Sequence, residues 1–188
     1  IEKTPINEII KINYSKFAVY EDCPHKYSLI YNYQFKYSDT IKVSYGLLIH
    51  DILNKIHRKY KNSQLNIKKI SEIIEESFKH NPDTNIEDFH TKQNMINIID
   101  YWIKYGSKYK IIGSEVPFNI RTENYELNGK IDLIIEKEDG TLKIVDFKNI
   151  HSKKAKIQKK EFKKQIYLYT YALKEDSYYN KYEISEGS

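Results

Sequence analysis

Gly129-Lys130-Ile131-Asp132-Leu133-Ile134-Ile135 and, after a short acidic turn, Ile144-Val145-Asp146-Phe147-Lys148 form the stretch on which the fold turns. Both segments are apolar and rich in β-branched residues. Glu138-Asp139-Gly140 between them supplies the positive φ that a tight turn needs, so the pair reads as a β-hairpin. Side chains alternate along a strand, which puts Asp146 and Lys148, two residues apart, on one face. Asp132 on the neighbouring strand, Asp146, and the lysine beside it make an acid–acid–lysine pattern suited to holding a metal ion next to a cation. Such a pattern on a strand is common by chance, and its weight depends on what surrounds it.

At 188 residues the chain suits one domain with a helical lobe and is long enough to bury a core. The net charge of +5 is modest but unevenly placed. Between Asn149 and Lys164 stand seven lysines (153, 154, 156, 159, 160, 163, 164) against Glu161, a local +6 that leaves the remainder near −1. A basic run of this kind suits contact with phosphates, whereas a generally basic protein would spread the charge. Cys23 is the only cysteine, which excludes an internal disulfide and a cysteine-only metal cluster within this chain, and points to an intracellular, cytoplasmic location. No apolar run approaches the roughly 20 residues needed to span a bilayer, so no membrane association is expected. The start at Ile1 and the polar end Ser-Glu-Gly-Ser suggest a segment of a longer protein.

Taken in order, residues 1–14 read as an irregular lead-in, and residues 15–108 as mostly helical. Ser15 reads as the cap of a first helix that breaks at Cys23-Pro24, and a second piece runs from Pro24 to about Tyr33. Cys23 itself reads as a small buried residue. Ser44 reads as the cap of the strongest helix, to about Lys61, with Leu48, Ile49, Ile52, Leu53 and Ile56 on one face, His50 at its border and His57 on the surface. Further helices are expected at about 67–79 and 91–108, separated by a loop at Asn81-Pro82-Asp83. Strand character begins at Ile111 and continues through the Tyr125–Glu136 strand, and a last helix is expected at about 160–174. Residues after Ser177 are uninformative.

Five separated segments resemble, in order, the motifs of RecB-type nuclease domains of the PD-(D/E)XK superfamily. They are Tyr14-Ser15-Lys16-Phe17 with Cys23-Pro24-His25-Lys26-Tyr27, then Gly46 to Leu53 around His50, then Ser114-Glu115-Val116-Pro117. The acid–acid–lysine hairpin follows, and last comes Gln165 to Leu173 with Gln165 and Tyr169 one turn apart. The resemblance implies an α/β fold with a restriction-endonuclease-like core at 109–174: a central mixed sheet flanked by helices, with an N-terminal helical lobe. It implies Mg2+ or Mn2+ held by His50, Asp132 and Asp146 with the Phe147 main-chain carbonyl, catalysis by Asp132, Asp146, Lys148 and Glu115, and DNA contacts at Gln165, Tyr169, Lys153, Lys154 and Lys156. Relatives with an iron–sulfur cluster use four cysteines, and with Cys23 alone no such cluster is expected. The implied activity is metal-dependent hydrolysis of single-stranded DNA or duplex ends, as an exonuclease module beside a helicase motor or partner subunit in DNA repair or recombination. The alternative is a catalytically inactive DNA-binding or assembly module of the same fold.

Overall fold

The computed structural model describes residues 9–35, 40–59, 65–80, 89–148 and 155–187. Among these, five strands form one mixed sheet: β1 (Ile10–Ile12), β2 (Lys110–Arg121), β3 (Tyr125–Glu136), β4 (Leu142–Val145) and β5 (Ile184–Gly187). β3 is its axis. β2 runs antiparallel along one edge of β3 over its whole length. The other edge is shared, with β4 antiparallel to its second half and β1 parallel to its start, while β5 adds in parallel outside β4. Six α-helices flank the sheet: α1 (Tyr14–Asp22), α2 (Pro24–Tyr27), α3 (Thr40–Lys59), α4 (Ile67–Lys79), α5 (Phe89–Tyr101) and α6 (Ala155–Glu175).

The contiguous apolar stretch Leu133-Ile134-Ile135 of β3 follows from cover on both faces. Ile134, with Leu142 and Ile144 of β4, packs against Tyr169 and Leu173 of α6. Leu133 and Ile135, one residue out of phase and so on the other face, pack with Ile111 and meet Phe147. Phe147 also joins the helical core, where Leu48, Ile52 and Ile56 of α3 meet Ile70 and Ile74 of α4 and Ile98 of α5. The apolar faces of these helices are thus packed, while two isoleucines stand outside them. Ile67 stands exposed at the first position of α4, and α5 passes into a π-helical turn, Trp102–Gly106, that keeps Trp102 inside and leaves Ile103 outside.

Several local expectations change. The lead-in contains β1, an edge strand of three residues too short to show alternation, whereas residues 1–8 lie outside those described, as does the Asn81-Pro82-Asp83 loop. Asn13 rather than Ser15 caps α1, accepting from the Lys16 N–H at 2.9 Å. Cys23 is a helix cap and not a core residue: half-buried, it accepts at Sγ from the Lys26 N–H (3.4 Å) as α2 begins at Pro24. α3 starts at Thr40, so Ser44 lies inside it. Lys164 of α6 pairs with Glu21 of α1. No described helix is long and apolar enough to cross a membrane.

Gly129 shows how the hairpin is tied to α6. It lies opposite Phe118 in the β2–β3 ladder, and a Cβ on it would come 2.6 Å from the Phe118 ring. That ring in turn meets the Tyr169 ring edge-on at 5.8 Å. Gly129→Ala is expected to destabilise by about 1–3 kcal/mol through overcrowding. The urea midpoint measures it, and Phe118→Leu added to Gly129→Ala should regain part of the loss.

Candidate active site

The site begins with one helix and one strand brought together. Ser114 Oγ donates to Asn54 Oδ1 at 2.9 Å, which fastens α3 to β2. Asn54 lies one helical turn after His50, and Ser114 precedes Glu115, so this bond sets the imidazole beside the carboxylate. The ladder pairs Ser114↔Leu133 and Val116↔Ile131 flank Glu115 and Asp132, which therefore stand opposite one another. Carried one step past Leu133↔Val145, the β3–β4 register sets Asp132 opposite Asp146 as well. Glu115, Asp132 and Asp146 thus form a row of acids that runs from β2 across β3 to the residue just past the end of β4.

Asp146, Phe147 and Lys148, expected on the strand, lie just past its end at Val145. The reason is local. The Phe147 N–H donates to Asp132 Oδ2 at 2.7 Å, so a side chain supplies its acceptor at the point where β4 leaves the ladder. Asp146 and Lys148 remain neighbours, with Nζ 2.7 Å from Oδ2. His50 Nδ1 lies 3.4 Å from Asp132 Oδ1, the oxygen that Phe147 does not use. Glu115 adopts φ of 51°, a left-handed backbone that a β-strand residue rarely takes and that costs about 1–3 kcal/mol. Its Oε2 pairs with Lys130 at 2.9 Å.

One nitrogen of His50 and one oxygen each of Glu115 and Asp132 lie within 4.8 Å of one another. A model of the PD-(D/E)XK nuclease superfamily matches residues 11–186. The chain belongs to this superfamily. Membership implies metal-dependent nuclease activity. A comparison with curated proteins gives no match.

For a PD-(D/E)XK nuclease the donor set is chemically apt. Carboxylate oxygens with a single imidazole suit a hard or borderline divalent ion such as Mg2+ or Mn2+. Glu115, expected as a catalytic residue, joins His50 and Asp132 in the group whose ligand atoms lie within 4.8 Å of one another. Asp146 is turned toward other partners, since Oδ1 accepts from Gln165 Nε2 (2.9 Å) and Oδ2 faces Lys148. Burial raises the Asp146 pKa above the usual carboxylate value, and the hydrogen bond and charge of Lys148 work against that rise.

The remaining expected residues fall into two groups. Gln165 and Tyr169, expected at the DNA, are only 7% and 5% exposed and have little surface to offer a nucleic acid. Gln165 Nε2 lies 2.5 Å from the Tyr169 hydroxyl as well as bonding Asp146, so the pair sits beneath the acid and holds it. Lys153 and Lys154 lie outside the described residues, and Lys156 is described only by its helical backbone in α6.

His57, read from the sequence as a surface residue, is wholly buried. Its ring stacks on Phe147 (5.7 Å between centroids, 7° between planes), and Nε2 lies 3.1 Å from the Tyr101 hydroxyl. Burial pushes its pKa down to about 4, so it is neutral at pH 7. A signal for it existed in the sequence: it follows Ile56 on the apolar stripe of α3, two turns beyond His50. Asn54 and Lys130 carried no comparable signal.

Asp132 raises the His50 pKa above 6.5, its hydrogen bond outweighing the desolvation that lowers it. The folded value exceeds the unfolded one, so this contact stabilises the metal-free protein fully below about pH 6.5. Its contribution disappears as pH rises through the value of His50 itself. An NMR titration of the His50 ring without divalent ions is expected to give a midpoint above 6.5, and Asp132→Asn to lower it.

Proposed function

We propose that this chain is a divalent-metal-dependent deoxyribonuclease of RecB type, acting as the exonuclease module of a helicase–nuclease or a related DNA repair or recombination assembly. The observation that carries the nuclease reading is the row of Glu115, Asp132 and Asp146 across β2, β3 and the end of β4, with His50 on one side and Lys148 on the other. The RecB assignment rests on the resemblance of the His50 helix, the Ser114-Glu115 strand and the Gln165-Tyr169 helix to that group's motifs.

His50, Glu115 and Asp132 would hold the ion, with Asp146 and the Phe147 main-chain carbonyl completing the set. When bound, Mg2+ or Mn2+ supplies Lewis-acid activation of water and neutralises charge on the phosphate. The protein's own groups do the positioning. Lys148 Nζ, at Asp146, donates to the attacking water or to a phosphate oxygen on which negative charge grows. Gln165 fixes the Asp146 carboxylate through Oδ1, and Phe147 fixes Asp132 through its N–H. The lysines from 153 onward attract the backbone with little preference for sequence, so binding weakens steeply as salt rises.

The test is incubation with linear single-stranded and duplex DNA in Mg2+, Mn2+ or chelator. Cleavage is expected only with a divalent ion, and Asp146→Ala or Lys148→Ala should each slow it by about a hundredfold or more. Equal cleavage by both variants would sink the site assignment. DNA held equally well in chelator and left intact under every condition would instead identify a binding or assembly module.

A further inference from the structure

Next to the acids lies a cavity of about 280 Å³ between α3 and α5. One wall is the site itself, since His50 and Lys148 line it. Leu53, Ile98 and Phe147 provide apolar surface, and Asn94 and Asn97 present amides from the α5 side. Asn94 and Asn97 are three apart and so share a face of that helix. Asn97 Oδ1 accepts from Gln93 on the outside at 3.2 Å, whereas the half-buried Asn94 amide has no hydrogen-bond partner among the described residues.

We propose that this cavity receives one unpaired nucleobase of the strand whose phosphate lies at His50, Asp132 and Lys148. The inference rests on the nuclease reading and adds to it the state of the substrate. Three properties of the lining select this occupant. The amides are neutral and offer both donors and acceptors, which matches the edge of a base and not a second phosphate. The apolar walls take its flat face. The volume, near the roughly 300 Å³ lower end of small-molecule sites, is sufficient for a single base. The shared residues His50 and Lys148 make base and phosphate sites contiguous, as one nucleotide requires. A base can enter only after leaving its stack, so the substrate is a single strand or a frayed end.

The test walks a single abasic nucleotide along a short single-stranded DNA and measures kcat/KM of cleavage by the full chain. One position next to the cleaved bond should lower the value about tenfold for the natural sequence, the size of one lost base contact. Asn94→Leu with Asn97→Leu should lose about the same factor on the intact strand and show no further loss at the abasic position. Asn94→Gln, with its amide retained, should keep most of the activity, and circular dichroism checks that both variants fold. An abasic penalty of equal size in all three proteins, or none at any position, overturns the proposal and leaves the nuclease reading standing. If no protein cleaves, that reading falls, and binding still decides the cavity. A fluorescent base analogue in the same strand should brighten on unstacking with the natural sequence and stay dim with the double variant. Equal brightening with both also overturns the proposal.

Discussion

The hydrogen bond from the Phe147 N–H to Asp132 Oδ2, at 2.7 Å, is the contact on which the rest of the site depends. Between Leu142 and Val145 the hairpin is held by an ordinary ladder, and past Val145 that ladder ends. Without a substitute acceptor, Asp146 and Lys148 would be carried on an untethered segment. Asp132 provides that acceptor and is itself oriented by doing so, with its second oxygen left facing His50. A half-buried charged acceptor makes a stronger bond than a neutral one, so the same carboxylate serves as a structural clamp and as a candidate ligand.

Around this contact two separately patterned layers meet. The helical layer is an amphipathic assembly of α3, α4 and α5, and the sheet is a twin-faced apolar core covered elsewhere by α6. Phe147 belongs to both sides of the junction: its main chain bonds β3, while its ring stacks on His57 and meets Tyr101 edge-on (5.3 Å). Keeping His57 neutral suits a group buried against two aromatic rings, because a charge there would lack compensation. The Ser114–Asn54 bond is a second tie between the layers. Together they explain how a histidine from a helix reaches carboxylates that belong to a sheet.

The parts legible in the sequence were those written in period and composition. The Tyr125–Glu136 strand and the Ile67–Lys79 helix have the expected bounds because their apolar patterns are long and their ends carry turn or capping residues. The edge strands β1 and β5 were missed, since segments of three or four residues draw their pairing from a neighbour and not from their own pattern. At the site, the spacing of Asp146 and Lys148 announced their proximity, and the alignment of Glu115 with Asp132 depended on a register that only the folded sheet supplies. Asn54 was illegible for a similar reason: its partner Ser114 is sixty residues away. Gln165 and Tyr169 were found as a pair, but their burial under Asp146 could not be read from a helix face that presents equally well to solvent.

Glu115 stands apart as a residue kept in an unfavourable backbone conformation beside other acids. Fold stability alone would favour glycine there, which reaches a positive φ without steric cost and brings no further negative charge. With Glu115 in its proposed role as a metal ligand, stability and function pull in opposite directions at this position. A library screened only for thermal tolerance should drift away from glutamate at 115, while one screened for turnover should return to it. On that reading the strand at this point is a compromise between two selections, and its distortion marks where they meet.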